Sequence, residues 1–515
     1  MNTDTIQSNK IRKAISGVVI FTLIAKLLGF FREILLSYFF GASGISDAYL
    51  ISQNIPGTIF QFVGTGLTTC FIPVFFQALK KDDKKKADLF TNTLITLVLL
   101  FSTVVIVLVW AFTPQVVKVF ASGFKEETLW YAVWFTRIGV LSLYFSTIIY
   151  IYNSYLQANQ VFTPTAFATI PNSICIMLSI AFGAKLNLWI LPIGSCLAVG
   201  VQMLFLVYPV HKLDFKIRLN TAWKDPYISK FFKLIVPVIL GVSVNQINTI
   251  VDRTVASQVA VGGISALTYA NSLIMLVQNG LVDPINTVFY PQVTEAVASN
   301  DNVEARRAIE KVLNYVLALL IPISAGFIVF RSLITNSLFG RGAFDATASQ
   351  MTAEALCFYA VGICFIGIRE MLSRFYYAHS NTSIPMRNSV IGVAINIVMN
   401  LVLSRFWGIA GLAVATSISA AVTALLLWGE CDKHLHCGMI AISIKDIVKT
   451  IIASFLSIGV AYRIDNIIEL PNLLELIVAI VVSVLMYCAL GFLLKIELFS
   501  SAIAMVKEKS IKQNK

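Results

Sequence analysis

Charge is what this sequence has least of. Only 13% of its 515 residues are Asp, Glu, Lys or Arg against 57% hydrophobic, and the mean hydropathy is +0.80. A soluble enzyme or binding module does not survive with so little charged surface, so the composition leaves an integral membrane protein with many spans. Long polar stretches are missing too. The longest, 211–231, is too short to fold as an extramembrane domain. There are four histidines, and nowhere do acids and histidines gather around a nucleophile, which excludes a membrane transferase or phosphatase. The eight cysteines are scattered, most of them in apolar spans, and outline no disulfide framework. Cys431, His434, His436 and Cys437 have the residue types of a zinc site, but their short loop is a poor scaffold for four ligands, and no metal is expected. No small-residue cleavage motif follows the first apolar stretch, which therefore reads as a retained helix and not a signal peptide.

What is present is a succession of apolar runs of about 20 residues or more, each long enough to cross a bilayer. They fall at 15–40, 47–79, 89–112, 129–157, 163–184, 188–210, 232–259, 264–294, 309–331, 349–378, 384–404, 408–430, 447–463 and 473–497. The expected fold is an all-α integral membrane protein of fourteen transmembrane helices. The net charge of +12 is explained by where the basic residues sit. With the N-terminus inside, 26 of the 39 Lys and Arg fall on cytoplasmic segments, seven on outer loops and six within spans. This asymmetry places both termini in the cytoplasm and makes the basic runs topology determinants, not a nucleic-acid surface.

The chain also repeats itself. Gly44-Ile45-Ser46 recurs as Gly263-Ile264-Ser265 and Gly123 as Gly342, both at a shift of 219; Phe71-Ile72-Pro73 recurs as Phe289-Tyr290-Pro291, and Pro164 as Pro385, within two residues of that shift. The organisation this implies is an N-terminal six-helix lobe (1–210), a basic cytoplasmic linker (211–231), a C-terminal six-helix lobe (232–430), and a final segment (431–515) of cytoplasmic loop, two extra helices and cytoplasmic tail. Parallel repeats of this kind enclose a central cavity that opens alternately to the two sides.

Charge inside the spans marks where that cavity lies. The first two runs carry Lys26, Arg32, Glu33 and Asp47 into the membrane, where such residues face water or a partner and mark a transport path. In the second run Asp47, Asn54, Thr58, Gln61, Thr65 and Thr68 recur at helical spacing on one polar face, interrupted by Pro56, Gly57, Gly64 and Gly66 as in a helix that bends around a binding site. Arg253 falls two residues from the repeat equivalent of Arg32, and each arginine has an acidic neighbour, Glu33 or Asp252. Arg137 and the pair Arg369-Glu370 are further candidates for cavity charge. A packed seam of polar helices in a scaffold protein is the alternative, and it leaves no wet face.

At these residues the chain resembles a known family, the MurJ/MviN lipid II flippases of the multidrug/oligosaccharidyl-lipid/polysaccharide exporter superfamily. The passages are KLLGFFRE and FGASGISDAY near the N-terminus, LFGRGAFDATASQMTAEAL at 338–356, SRFYYAHSNTSIP at 373–385 and GIAGLAVATSIS at 408–419. The resemblance implies two lobes around a cationic cavity for a pyrophosphate-linked saccharide, and a groove near the last two helices for its polyprenyl tail. It implies a flippase of the bacterial cytoplasmic membrane that moves undecaprenyl-pyrophosphate-linked peptidoglycan precursor to the outer leaflet by alternating access, for cell-wall synthesis. A different polyprenyl-linked polysaccharide unit is the alternative cargo. Lys26, Arg32, Glu33 and Asp47 match the family's charged positions, and Asn54, Thr58, Gln61, Thr65, Asp252 and Arg253 complete the expected cavity lining. Where members often carry paired arginines in the second helix, this chain has Phe60-Gln61; where they carry an Asp-Arg pair in the eighth, it has Asn271-Ser272. A sodium site of some members needs a carboxylate in the eleventh helix, where Asn396 and Asn400 stand. No cofactor is expected, and coupling to the membrane potential, H+ or Na+ is left open. Expected partners are the polyprenyl-linked substrate, the bilayer and proteins of cell-wall synthesis.

Overall fold

The computed structural model describes residues 3–299, 301–435, 440–465, 467 and 470–501. Among these residues all regular structure is helical. The backbone contacts divide the chain into two units, Met1–Ser265 and Ala266–Lys515. This division follows packing, whereas the repeat follows sequence, so the helix after the basic linker belongs to the first unit by its contacts.

The first unit holds α1 (Thr3–Phe40), α2 (Gly44–Lys81), α3 (Lys84–Ala111), α4 (Thr113–Phe120), α5 (Glu126–Gly139), α6 (Ser142–Ala158), α7 (Thr163–Phe167), α8 (Thr169–Lys185), α9 (Ile190–His211) and α10 (Pro226–Val259). Its hub is α2, which packs on α3, α5, α6 and α10. Small residues make that possible. A methyl group on Gly64 would lie 2.7 Å from the Tyr150 ring of α6, and one on Gly66 would lie 2.2 Å from Ile235 of α10. These glycines therefore seat neighbouring helices, a different role from the bend expected of them. Pro56 lacks the N–H that would bond the Ser52 carbonyl, and α5 approaches that carbonyl through Gly139. Below this, Phe71, Phe75, Phe90 and Tyr155 stack into a buried aromatic core.

The linker is tied down, not loose. Asn92 of α3 donates to the Lys216 carbonyl (3.1 Å) and accepts from the Arg218 N–H (2.9 Å), while Thr96 accepts from Asn220 N–H. At the linker's end Tyr227 donates to Asp82 at 2.6 Å and Lys230 to Gln77 at 2.6 Å.

The second unit takes nearly all of α11 (Gly263–Val277), then a π-helical turn (Gln278–Val282), α12 (Asp283–Ala298), α13 (Asn302–Val329), α14 (Arg331–Leu338), α15 (Ala346–Ala378), α16 (Ser383–Leu435), α17 (Ile444–Asp465) and α18 (Asn472–Leu493). The 53 residues of α16 would be about 80 Å long as one rod, against a hydrocarbon core of about 30 Å. The chain breaks it at Gly408 (φ 54°, ψ −131°). The two limbs then pack on each other, with Ser419 donating to the Gly392 carbonyl at 2.7 Å.

Each of the fourteen apolar segments is helical. By length and apolarity nine helices among the described residues are able to cross a membrane, or eleven when the bent pairs α5–α6 (45°) and the two halves of α10 (43°) each count as one span. Outward faces agree with a lipid solvent. Val104 and Val107 on α3, Leu204 and Tyr208 on α9, and Val484 and Leu485 on α18 are all more than half exposed, as water would not tolerate in such number.

Candidate functional site

Asp47 accepts three hydrogen bonds from a distant stretch of the first unit. Ser43 opens α2 with a capping box, its N–H bonded to Ser46 Oγ, which sets Asp47 in the first turn of the helix. There the carboxylate is buried to 1% exposure and saturated. Its Oδ2 accepts from Gly262 N–H at 2.8 Å, and its Oδ1 accepts from Ser265 N–H at 2.8 Å and from Ser265 Oγ at 2.6 Å. Gly262, 215 residues after Asp47, and Ser265 lie where α11 begins, so Asp47 caps a helix distant in the chain, with its charge at the positive end of that helix. Gly262 permits the approach. Its φ is +80°, and a side chain there would put a carbon 2.1 Å from the Ala42 carbonyl oxygen. Arg253 of α10 donates to the Ile264 carbonyl at 3.3 Å and acts on Asp47 electrostatically. Two turns, 41–47 and 260–265, are thus latched together.

The latch has a second stay. Gly123 N–H donates to Ser257 Oγ at 3.0 Å, Thr254 donates to the Val119 carbonyl at 2.6 Å, and Gln258 donates to Ser122 Oγ at 2.7 Å. These bonds hold the turn between α4 and α5 against the end of α10. A cavity of about 250 Å³ lies beside them, lined by Asp47, Lys125, Thr128, Ser257 and Gln258 among others.

A separate cluster forms where α1 meets α2. Arg32 Nη2 lies 3.0 Å from Glu33 Oε1; the arginine side chain is 37% exposed and the glutamate side chain 9%. Glu33 Oε2 is buried without a hydrogen-bond partner. Tyr49, electrostatically linked to both residues, is fully enclosed and shares a 2.7 Å hydrogen bond with Ser195 of α9. A partly exposed arginine paired with a buried carboxylate has the charge and donors to receive an anion.

The structure divides the expected cavity residues. Gln61 is exposed, and Asn54, Thr65 and Lys26 are half-buried. Asn54 donates to the Leu50 carbonyl of its own helix at 2.8 Å. Thr58, expected on the same wet face, is buried at 6% exposure. A straight helical projection counts turns but not neighbours, and α2 is enclosed on several sides. Asp47 borders the cavity beside the latch, with both of its oxygens engaged by the latch. Asp252 and Arg253 are half-buried, with Asn248 donating to Asp252 at 3.3 Å.

Arg137 lies against two tryptophan rings. Its guanidinium lies 4.8 Å from the Trp134 ring centre and 5.5 Å from that of Trp110. Glu370 faces Arg374 one turn on, at 3.7 Å. Asn400 donates to Asn396 at 2.8 Å within the first limb of α16, and Asn396 donates to the Thr416 hydroxyl of the second limb at 3.3 Å. Cys431 is buried; His436 and Cys437, and the side chain of His434, lie outside the described residues. Residue-by-residue reasoning did not pick out Gly262, Ser265, Tyr49 or Ser195. For Ser265 the signal was in the repeat: Ser46 and Ser265 are equivalents at a shift of 219, and their hydroxyls lie 2.9 Å apart.

Comparison with known proteins places this architecture. A probable lipid II flippase of Rickettsia prowazekii (strain Madrid E) is 27% identical over 435 residues, covering 82% of this chain and 85% of the relative. One of Vibrio cholerae is 27% identical over 438 residues, covering 80% and 82%. A solved lipid II flippase in an inward closed conformation superposes with a TM-score of 0.81 at 25% identity, covering 92% of this chain and 97% of that one. An inward-facing multidrug transporter of the MATE family shares the fold at a TM-score of 0.67 and 15% identity. The family model described as Lipid II flippase MurJ matches residues 36–506, and the chain belongs to that family.

Proposed function

We propose that this chain carries lipid II, an undecaprenyl-pyrophosphate-linked precursor of peptidoglycan, from the inner to the outer leaflet of the bacterial cytoplasmic membrane by alternating access. Both termini face the cytoplasm, and the chain transports without catalysing a covalent step. Membership of the family supports the cargo, and the observation that carries the mechanism is the pairing of two polar clusters with different jobs. The Arg32–Glu33 pair presents a partly exposed arginine, whose planar fork suits the oxygens of a pyrophosphate. Glu33 keeps that guanidinium oriented, and displacement of water from it strengthens the bond to an entering anion. The Asp47 latch closes the end of the first unit formed by the turns 41–47, 119–125 and 260–265. By the distribution of basic residues, that end faces outward. Release of cargo requires the latch to open, and its re-formation resets the carrier.

The test is depletion of the protein in cells together with a measurement of lipid II exposed at the outer surface. Exposure should fall on depletion and return with the wild-type chain. Unchanged exposure at full depletion would reject the cargo, and restored exposure with an Arg32→Ala chain would reject the site.

A further inference from the structure

The second unit holds a cavity that the proposed flipping mechanism does not use. It has a volume of about 440 Å³ and lies where the start of α13, the approach to α17 and the segment after α18 converge. Its walls carry charges of both signs. On α13, Arg307 and Lys311 are one turn apart and exposed, and neither has an ion-pair partner among the described residues. Lys311 leans over the Tyr315 ring. Glu310 stands between Arg307 and Lys311 on the same helix and Glu497 follows α18, each held by one oxygen only. Glu310 Oε1 accepts from Ala441 N–H at 2.8 Å and lies 3.6 Å from Arg306; Glu497 Oε2 accepts from Asn314 at 3.0 Å. Asn314 is itself fixed, accepting from Ser443 N–H at 3.2 Å. Two bound carboxylates with a spare oxygen each, and two cations with no carboxylate among the described residues, make a site for a ligand that bears both signs.

The surroundings say what kind. From the rim of the cavity α17 presents Ile444, Val448, Ile452 and Phe455 outward along one face, between 47% and 75% exposed. A continuous apolar stripe leading into a charged recess at a helix end is the shape of a phospholipid site, headgroup in the recess and acyl chains along the helix.

We infer that this cavity binds a phospholipid whose headgroup carries a phosphate and a primary ammonium, of the phosphatidylethanolamine type, with the phosphate on Arg307 and Lys311 and the ammonium on Glu497 and Glu310. A purely anionic headgroup satisfies the cations but sets its charge against two carboxylates. A choline headgroup satisfies the charges, but its methylated nitrogen has no N–H to donate.

The experiment uses the purified full chain in detergent, stripped of lipid, with native mass spectrometry to count bound lipid. Phosphatidylethanolamine, phosphatidylglycerol and phosphatidylcholine of identical acyl chains are titrated in parallel. Phosphatidylethanolamine should bind about tenfold more tightly than either, the difference expected for a charge-assisted bond gained or a like charge met. Arg307→Ala with Lys311→Ala should weaken all three lipids, and Glu497→Gln should erase the preference over phosphatidylglycerol while leaving phosphate binding in place. Equal or tighter binding of phosphatidylglycerol to the wild-type chain would overturn the assignment, as would displacement of bound lipid by a polyprenyl pyrophosphate before phosphatidylethanolamine. If a variant fails to fold, the wild-type ranking alone decides.

Discussion

Replacing Asp47 by asparagine tests whether the latch holds one end of the first unit shut. The change is nearly isosteric, so its effect is electrostatic and directional. Asp47 takes three donors, from Gly262 N–H, Ser265 N–H and Ser265 Oγ, at 2.6–2.8 Å. An asparagine keeps one oxygen for Ser265 but turns an amide N–H2 toward Gly262 N–H, so that two donors face each other. Hydrogen bonds to a charged group contribute about 1.5–3 kcal/mol each, and a buried donor left unpaired costs about 1–3 kcal/mol. These terms overlap within one network, so about 2–3 kcal/mol is a fair net loss for the closed latch. At about 1.4 kcal/mol per decade, that shifts the ratio of closed to open roughly 30- to 150-fold toward open.

The reporter is a single cysteine at Ile264, which is fully buried between the two residues that bind Asp47. In a chain with its eight native cysteines replaced, an impermeant thiol reagent is added to intact cells. Labelling at this position should be slow with Asp47 in place and much faster in the Asp47→Asn variant, at equal membrane abundance. One competing term has the opposite sign. Burying a carboxylate carries a desolvation penalty, and an amide escapes it. If that penalty exceeded the bonds it enables, Asp47→Asn would tighten closure and slow the labelling. Equal or slower labelling with normal abundance therefore refutes the latch as an energetic device and leaves Asp47 a neutral spacer.

Four further outcomes are expected. Cysteines at Lys84 and Lys224 should be shielded from an impermeant reagent in intact cells while one at Lys125 reacts; the reverse pattern would overturn the orientation. A cysteine at Gln61 should be labelled from water and one at Thr58 should not, because Gln61 is exposed and Thr58 buried; equal protection of both would favour a packed seam. Gly123→Ala should speed labelling at Ile264 as Asp47→Asn does, since the added methyl would lie 2.1 Å from the Ser257 carbonyl oxygen; unchanged labelling would show that the turn yields freely. Arg32→Ala should lower membrane abundance, because Glu33 is left buried and unpaired at a cost of about 3–5 kcal/mol, whereas Arg32→Ala with Glu33→Gln should recover abundance without recovering lipid II exposure; transport by the double variant would remove Arg32 from the pathway.

The fold was legible because a bilayer simplifies the code. Apolar run length reports helices directly when no water is available to satisfy open backbone, so the fourteen segments all emerge as helices. How many cross was less legible, because hydropathy does not record direction. The 53-residue run of α16 breaks at Gly408, where the sequence divides it into 384–404 and 408–430, but only the structure shows the second limb packing back on the first. Gly64 and Gly66 show the same limit from the other side. In sequence they read as breaks, yet each is a contact point on which another helix rests.

The site was legible as a set of charges and illegible as an arrangement. Periodicity assigns a residue to a face but is blind to what the face meets, which is why Gln61 and Thr58 share a stripe and differ in exposure. Charge in a membrane helix has two uses, and spacing cannot separate them. Arg32 keeps an open side while Glu33 beside it is buried, and that asymmetry suits a ligand. Asp47 has both oxygens engaged by donors from residues more than two hundred positions away, and that engagement suits a gate. The repeat carried the missing information, because its most conspicuous anchor, Gly-Ile-Ser in both halves, contains the two serines that meet at 2.9 Å. Equivalent residues that touch belong to turns pressed against each other, and a carrier that must part those turns needs a bond it can break there. A carboxylate capping a helix that is not its own is such a bond: strong while aligned, and lost as a unit once the helix end moves by the length of a hydrogen bond.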